Sequence, residues 1–571
     1  MDINGANLIT RFLEARMDAL GASAGIVAGI PGGALLPLYR ALADSRLTHV
    51  LARHEQGAGF IAQGIARVSG HAGVCLATSG PGLTNTVTAL ADAKADSVPL
   101  VCFAGQVPRA LIGSDAFQEV RTGHIVDSIT KAHFELRAAA DLVHLLPEAF
   151  RIAESGRPGP VLIELPKDVQ TEALQLDKLP LPCAVARAGE PGADAIARAA
   201  AMIARARRPV LYLGGGVVQA RAQHLAQTFA ERAGLPTTTT LMALGTMPPD
   251  HPLALGMLGL HGARYTNRVI DECDLLIAIG CRFDDRATGR LDRFAPNARV
   301  IHIDADRREL GKLRKPQLAI EADAGAALRA LIKAVTPQLR TDWLARVGSL
   351  HRESPMPRPG ADDPRKPHGL MRAVAAIADP DAAITTDVGQ HQMWVAQSYP
   401  LTHRATGETM ADSLSTPHRW LTSGGLGTMG FGVPAAIGAA LVNPQAGAIC
   451  FSGDGSLMMS VQELATLAEL QANVKIIVMD NGALGMVRQQ QNQFWDGRYS
   501  ASLYRHPPSC CAVAEAFGVP AIDLGFARDP LQALRSAFAQ PGPMLIRAPI
   551  AVEEMVLPVV VPGGANVEAL G

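Results

Sequence analysis

Short apolar runs, many of them β-branched, alternate along this chain with longer stretches whose apolar positions recur every three to four residues. Helical spacing begins almost at once, with Leu8, Ile9, Phe12 and Leu13 on one face. Thr48 to Arg53, Gly73 to Ala77 and Pro99 to Ala104 read as strands of a first block. Pro209 to Leu213, Asp274 to Ile279 and Arg299 to Ile303 read as strands of a second, and Ala448 to Phe451 and Val474 to Met479 as strands of a third. Strand and helix alternating in this way predict parallel sheets covered by helices on both faces. A Pro-rich stretch from Pro166 to Pro191 separates the first two blocks, and Pro355, Pro357, Pro359, Pro364 and Pro367 among charges separate the last two. At 571 residues the chain is too long for one core. The expectation is three doubly wound parallel-sheet α/β domains, at residues 1–165, 190–335 and 369–550.

Charge changes the picture only by exclusion. With 52 basic against 53 acidic residues the net charge is -1, which offers no field to hold nucleic acid or an anionic membrane. Any anion must be held by a local site. Eight cysteines are scattered without a CxxC, several inside apolar runs, and read as reduced core residues. The N-terminus resembles neither a signal nor a transit peptide, and no apolar run is long enough to span a bilayer, so a cytoplasmic protein is expected.

The strongest chemical signal is Gly453-Asp454-Gly455, which follows the strand Ala448 to Phe451 directly. Ligands of α/β sheets bind at that carboxyl edge, and glycines let backbone N–H groups approach phosphate oxygens. One helix is expected next, with Val461, Leu464, Ala465 and Ala468 on one face; then comes the strand Val474 to Met479, ending in Asp480-Asn481-Gly482. A βαβ step of that kind returns to the same edge and sets Asp454 beside Asn481. A carboxylate, an amide oxygen and a loop carbonyl, that of Ala483, are expected to leave room for two phosphate oxygens and a water around magnesium. A glycine-rich structural turn is the competing account of Gly-Asp-Gly alone.

Gly-Asp-Gly followed after a βαβ step by Asn resembles the fingerprint of thiamine diphosphate enzymes, with Asp480 standing where many members have a second Asn. A longer collinear series, including "GIPGGALLPLY", "RHEQGAG", "LATSGPG", "IGSDAFQE", "RFDD", "DVGQHQMW", "LTSGGLGTMGFG" and "LGMVRQ", is similar to the acetolactate synthase catalytic subunits, closest in feel to the bacterial isozyme II type. The resemblance implies a pyrimidine-binding first domain, a central domain of the FAD-binding type and a diphosphate- and magnesium-binding third domain. It implies condensation of two 2-keto acids with loss of carbon dioxide, as in branched-chain amino acid biosynthesis; a departure at Gln490 makes pyruvate with pyruvate the main pairing expected.

Carried over residue by residue, the resemblance gives Glu55 the task of activating the cofactor through its aminopyrimidine ring. By itself Glu55 reads equally as a solvated helix-start acid. Gln390, His391, Gly453, Gly455 and Ser456 are expected to meet the diphosphate, and Met429, otherwise an ordinary core Met, to prop the cofactor in a bent form. Gly33, Phe117, Gln118, Lys131 and Val388 are expected to line the reaction pocket, although Lys131 reads alone as a surface lysine. Arg286 matches the residue that pairs with the carboxylate of the second keto acid, and a planar fork suits that task; a salt bridge to Asp284 or Asp285 is its competing role. Arg157, Gly214, Gly215, Gly216, His261, Arg282 and Asp304 match positions that contact a structural FAD. Because the two ends of thiamine diphosphate are held by different subunits in such enzymes, a homodimer or tetramer follows, with a small regulatory subunit as a further partner.

Gln490 in "LGMVRQQQ" stands where most members have Trp, a residue associated with preference for 2-ketobutyrate and with binding of sulfonylurea-type herbicides. Gln gives a smaller, more polar wall, so that preference and that binding are expected to be weak; Leu260, where the isozyme II type has Met, borders the same pocket. The polar segment Thr402 to Pro417 is longer than is usual in the family. Two readings compete with this one: another reaction on the same scaffold (a 2-keto acid decarboxylase, a pyruvate oxidase or a glyoxylate carboligase) and a cofactor-binding paralogue without catalysis. Glu55 weighs against a glyoxylate carboligase, Arg286 against a decarboxylase, and Asp454 with Asn481 against a silent paralogue.

Overall fold

The structure, a computed structural model, describes residues 2–183, 189–402 and 419–571; most of the polar segment 402–417 therefore lies outside the described residues. Three parallel six-stranded sheets carry the fold. The first contains β1 (Ile26–Gly29), β2 (Thr48–Leu51), β3 (Gly73–Ala77), β4 (Leu100–Gln106), β5 (Ala132–Glu135) and β6 (Pro160–Pro166), in the spatial order β2-β1-β3-β4-β6-β5. The second contains β7 (Pro209–Leu213), β8 (Thr237–Thr239), β9 (Ala254–Met257), β10 (Leu275–Ile279), β11 (Arg299–Asp304) and β12 (Leu318–Glu321), in the order β9-β8-β7-β10-β11-β12. The third contains β13 (Ala383–Thr386), β14 (Trp420–Leu421), β15 (Ala448–Gly453), β16 (Val474–Asp480), β17 (Ala521–Asp523) and β18 (Met544–Pro549). Its order, β14-β13-β15-β16-β18-β17, repeats that of the first sheet.

These orders decide where ligands can sit. The direction of winding reverses between β1 and β3, between β7 and β10, and between β13 and β15, the places beyond whose carboxyl ends ligands of such sheets usually bind. Residues 30–33 and 78–82, 214–216 and 280–282, and 387–391 and 453–456 follow those strand ends.

Five helices matter below: α1 (Glu55–Ser69), α2 (Val87–Ala95), α3 (Gly432–Val442), α4 (Asp454–Met458) and α5 (Glu463–Leu470). β2 stops at Leu51, short of the expected Arg53, because His54 turns out of the strand to cap α1, its Nδ1 accepting the Gln56 N–H at 3.1 Å. The single helix expected after Gly-Asp-Gly is two, α4 and α5, broken by turns at Ser460 and Glu463. The buried face of α5 is Glu463, Leu464, Thr466 and Leu467; Val461, Ala465 and Ala468 are only half-buried. Glu463 is inside because its carboxylate accepts the Arg53 N–H at 3.1 Å, tying the third domain to the entry of α1.

Domains one and three share a core. Phe60, Ile61 and Ile65 of α1 pack against Phe431, Val433 and Ile437 around α3, with the rings of Phe60 and Phe431 edge to face at 5.3 Å. Small residues let the two helices approach: a Cβ on Gly64 would run into the Ala435 backbone, and one on Gly438 into that of Ile61. The central sheet has its own core, including Leu211, Phe229, Ile277, Ile301 and Leu328. Six of the eight cysteines are buried, Cys511 is half-buried and Cys183 is exposed. No helix among the described residues is long and apolar enough to cross a membrane.

Candidate active site

The third domain builds a small polar cradle at the carboxyl ends of β13, β15 and β16. Gly453 pairs with Met479 across β15 and β16, so Asp454 and Asp480-Asn481 leave the sheet side by side. Val388, Gln390, His391, Met429, Gly453, Gly455, Ser456, Asn481 and Ala483 line a small cavity there with Asp454, about 70 Å³ in volume. Two of its buried polar atoms have no hydrogen-bond partner among the described residues. Asp454 Oδ1 accepts the Gly455 N–H at 2.9 Å, but its buried Oδ2 has no partner. Burial and the neighbouring Asp480 push this carboxyl up to about 7, while Asp480 itself is paired with Arg547 at 2.5 Å. The Nε2 of buried His391 is likewise unpartnered, and desolvation lowers its pKa to about 4, so the ring is a neutral donor or acceptor. Asn481 is oriented at both ends: Oδ1 accepts the Ala483 N–H at 3.1 Å and Nδ2 donates to Gln390 Oε1 at 3.2 Å. An all-oxygen set beside glycine-borne N–H groups fits magnesium and a diphosphate. Gln390 itself is largely committed, its Nε2 donating to Gln489 Oε1 and to the Glu554 carbonyl.

A second cavity, of about 900 Å³, runs from the central domain to that cradle. Gly215, Gly216, His261, Arg282, Asp304 and Arg157 line it at the crevice beyond β7 and β10, and Leu260, Arg286, Val388, Met429 and Gln490 line it too. Val388 and Met429 border both cavities, so the two spaces meet at those side chains. Its size and the switch-point location suit a dinucleotide. Asp304, whose carboxyl is raised to about 6 by burial, ends β11 where a ribose hydroxyl is usually read. The glycines have an additional, structural task. Gly214 does not line the cavity; a Cβ on it would strike the Gly280 carbonyl, and one on Gly216 would lie 2.7 Å from the Gly280 Cα. Arg157 is engaged by Ser97 Oγ at 2.8 Å and Glu309 at 2.7 Å, and so bridges first and central domains at the cavity rim. His261 is buried, with Nδ1 3.0 Å from the Pro558 carbonyl.

Arg286 is 72% exposed and makes an ion pair with Asp285, its Nε 3.6 Å from the carboxylate and beyond a good hydrogen bond, so the competing salt bridge is present in a loose form. Asp284 instead caps the short helix Asp285–Thr288 through the Ala287 N–H. Gln490 is exposed on the cavity wall, whereas its neighbour Gln489 is buried and bonded to Gln390 and Val556.

The first domain gathers a separate half-site around the turn 78–85. Glu55 is buried at the start of α1, and its carboxylate accepts from Asn85 Nδ2 at 2.9 Å. Gly80 packs against the backbone of Gln118, which sits at a φ of 63°, and Gly32, next to the open Gly33, packs on Thr78. Phe117 projects from this edge, 88% exposed. Neither cavity is lined by Gly33, Glu55, Phe117 or Gln118. Lys131 stands apart from both half-sites: it caps the helix Leu142–Glu154, donating to the Ile152 carbonyl and to that of Ser155 at 2.6 Å, and burial lowers its pKa to about 8.

Sequence reasoning missed the buried carboxylates that fasten this architecture. Asp387, fully buried and raised by desolvation, accepts the N–H groups of Gly430 and Gly432 at 2.8 and 2.9 Å and the Ser452 hydroxyl at 2.6 Å. Asp92 on α2 and Asp96 at its C-terminal cap hold the adjoining loop. Their signal was present: two acids four residues apart on a helix face that the apolar spacing of Ala89, Leu90 and Ala93 turns inward.

Comparison with known proteins agrees with this geometry. The sequence patterns of the thiamine pyrophosphate enzyme N-terminal TPP binding domain, central domain and C-terminal TPP binding domain match residues 6–125, 196–331 and 387–548. The chain is 52% identical to the acetolactate synthase isozyme 1 large subunit of Escherichia coli K12, covering 99% of this chain and 97% of that one. It is 42% identical to the isozyme 2 large subunit of the same organism, covering 100% and 99%, so the likeness to isozyme 1 exceeds the expected likeness to isozyme 2. It is also 40% identical to the chloroplastic acetolactate synthase 1 of Zea mays, over 94% of this chain and 84% of that one. A diphosphate cradle, a dinucleotide-type crevice and full-length similarity to such enzymes lead to one conclusion: the chain belongs to the thiamine pyrophosphate enzymes and, within them, to the acetolactate synthase large subunits.

Proposed function

We propose that this acetolactate synthase chain uses pyruvate as donor and as main acceptor, giving 2-acetolactate and carbon dioxide, in a site completed by the first domain of a second copy. The observation that carries the reading is the continuity, at Val388 and Met429, between the cradle of Asp454 and Asn481 and the cavity lined by Arg286 and Gln490. Thiamine diphosphate, when bound with magnesium, supplies the electron sink that lets a 2-keto acid lose carbon dioxide.

The protein's part is positioning and proton handling. Asp454, Asn481 and the Ala483 carbonyl hold the cation; Gly453, Gly455, Ser456 and His391 receive the diphosphate, with Gln390 steadying Asn481. Glu55, oriented by Asn85 and shielded from water, takes and returns a proton at its carboxylate. Met429, which borders both cavities, would support the cofactor where they meet. Arg286, exposed and held only by a 3.6 Å ion pair to Asp285, binds the acceptor carboxylate, a task its planar fork suits. Leu260, Val388 and Gln490 shape the acceptor space, and Gly33, Phe117 and Gln118 of the second copy close it, which agrees with their separation from both cavities within one chain. Arg157, Gly215, Gly216, His261, Arg282 and Asp304 hold FAD in a structural role, with Gly214 packing the turn. The minimal unit is a homodimer, working in the cytoplasm with a small regulatory subunit.

Purified chain supplied with thiamine diphosphate, magnesium, FAD and equal pyruvate and 2-ketobutyrate is expected to yield mostly acetolactate. Dominant acetohydroxybutyrate overturns the acceptor assignment, and acetaldehyde alone overturns the carboligase reading.

A further inference from the structure

The loop Ser423–Met429 carries Met429 to the junction of the two cavities and forms one wall of the larger. It has no helix or strand of its own, and three of its seven residues are glycine. Such a segment has much conformational freedom to lose. What restrains it lies outside it, on α2 of the first domain. Asp92 Oδ2 accepts hydrogen bonds from the Ser423 hydroxyl and, at 2.8 Å, from the Thr428 hydroxyl. Ser423 Oγ in turn accepts the Thr428 N–H at 2.8 Å, closing the loop on itself. Asp96 accepts the N–H groups of Gly424 and Gly425 at 3.0 and 2.7 Å. Arg67 of α1 holds the two acids, 2.9 Å from Asp96 and 3.7 Å from Asp92, with its guanidinium 5.1 Å over the Phe431 ring.

Every member of this cluster is inside the protein: the side chains of Asp92 and Asp96 are 0% exposed and that of Arg67 1%. Two carboxylates against one guanidinium leave a buried excess of negative charge. Such a group is a poor way to gain stability, since well-packed apolar residues do as well or better. Its hydrogen bonds give it another use. They end on backbone and hydroxyl groups of one loop, and that loop is gripped on a second side by the central domain, where a Cβ on Gly424 would collide with Met242. A Cβ on Gly425 would lie 2.8 Å from both Ala95 Cβ and Asp96 Oδ1, so the loop must be bare there to reach the acids.

We propose that Asp92 and Asp96, held by Arg67, are positioning residues for the reaction: they set the loop Ser423–Met429, and through it Met429 and the shared cavity wall. This rests on the proposed role of Met429, but its first test does not depend on turnover. Hydrogen–deuterium exchange on the full-length, cofactor-free protein is expected to rise at least threefold over residues 423–429 in Asp96→Asn and in Asp92→Asn, with α3 unchanged. Unchanged exchange in that loop overturns the proposal. With cofactors, each variant is expected to lose at least tenfold in kcat for acetolactate while KM for pyruvate stays within threefold. The double variant Asp92→Ala with Thr428→Val should depart from multiplicative kcat effects by at least threefold, because both changes remove the same hydrogen bond; multiplicative effects overturn the assignment of Asp92 to the loop. Should the acid variants fail to fold, Thr428→Val alone must still loosen residues 423–429, and its failure to do so refutes the proposal. If the unaltered chain makes no acetolactate, the functional reading fails and the exchange result still decides the positioning role.

Discussion

Gln490→Trp separates the role of one wall from everything else in the site. Gln490 is exposed on the larger cavity, and among the described residues its side chain makes no hydrogen bond, so replacement breaks nothing that holds the fold. The cavity, about 900 Å³, has room for an indole. The two acceptors differ by one methylene. Simple burial of that group contributes about 0.8 kcal/mol, roughly a fourfold preference. A closely fitted pocket can reach about 1–3 kcal/mol, on the order of 10–200-fold. The variant should therefore shift the ratio of acetohydroxybutyrate to acetolactate, at equal pyruvate and 2-ketobutyrate, upward by at least about fourfold relative to the parent. Gas-chromatographic quantification of both products at several substrate ratios gives the number directly. Gln490→Leu, apolar but not flat, separates hydrophobicity from aromatic shape. A ratio within twofold of the parent, in a variant that keeps its kcat on pyruvate alone, refutes the claim that this wall sets acceptor choice.

Three other outcomes follow from the geometry. Arg286→Gln removes a charged hydrogen-bonding group worth about 1.5–3 kcal/mol, so kcat/KM for acetolactate should fall by roughly 10–150-fold while acetaldehyde release from pyruvate persists; equal loss of both products would sink the acceptor role. Gly214→Ala places a methyl against the Gly280 carbonyl and should destabilise the central domain by about 1–3 kcal/mol, read as a lower thermal midpoint whether or not flavin is added. His71, buried beside Ser23, is lowered by desolvation to about 4. A depressed imidazole gives stability that is complete above its unfolded value near pH 6.5 and lost as pH falls toward 4, about 3 kcal/mol in all. His71→Gln should accordingly flatten the denaturant midpoint between pH 6.5 and 4, and an unchanged slope there would exclude this residue as its source.

Local features were legible in the sequence, and features closed by distant partners were not. Gly73–Ala77 and Pro209–Leu213 are strands with the expected ends, since apolar runs bounded by glycine and proline carry their own limits. Gly-Asp-Gly was readable for the same reason: strand, turn and the neighbouring Asp-Asn all lie within one βαβ step. Asp92 was readable only in part: the spacing of Ala89, Leu90 and Ala93 turns it inward, but its partner Ser423 lies 331 residues away. Glu463 illustrates the same limit: helical spacing put apolar residues on the inner face of α5, and the tertiary structure added an acid that caps another domain. Lys131 shows the converse. Resemblance assigned it to the pocket, yet within one chain its ammonium is occupied by the end of a helix. The glycines after β7 were read as a ligand-facing turn, and the structure adds that Gly214 and Gly216 let two backbones touch at Gly280.

The shared core of α1 and α3 has a consequence for how the chain is made. The apolar face of α1 leaves the ribosome hundreds of residues before the helix that covers it, and the entire central domain is synthesised in between. At roughly 5–20 residues per second that is an interval of tens of seconds with Phe60, Ile61 and Ile65 uncovered. The central domain, with a core of its own, can close during the wait, whereas the first cannot finish until the third arrives. Nascent chains stalled after the central domain should thus be the ones that holdase chaperones retain.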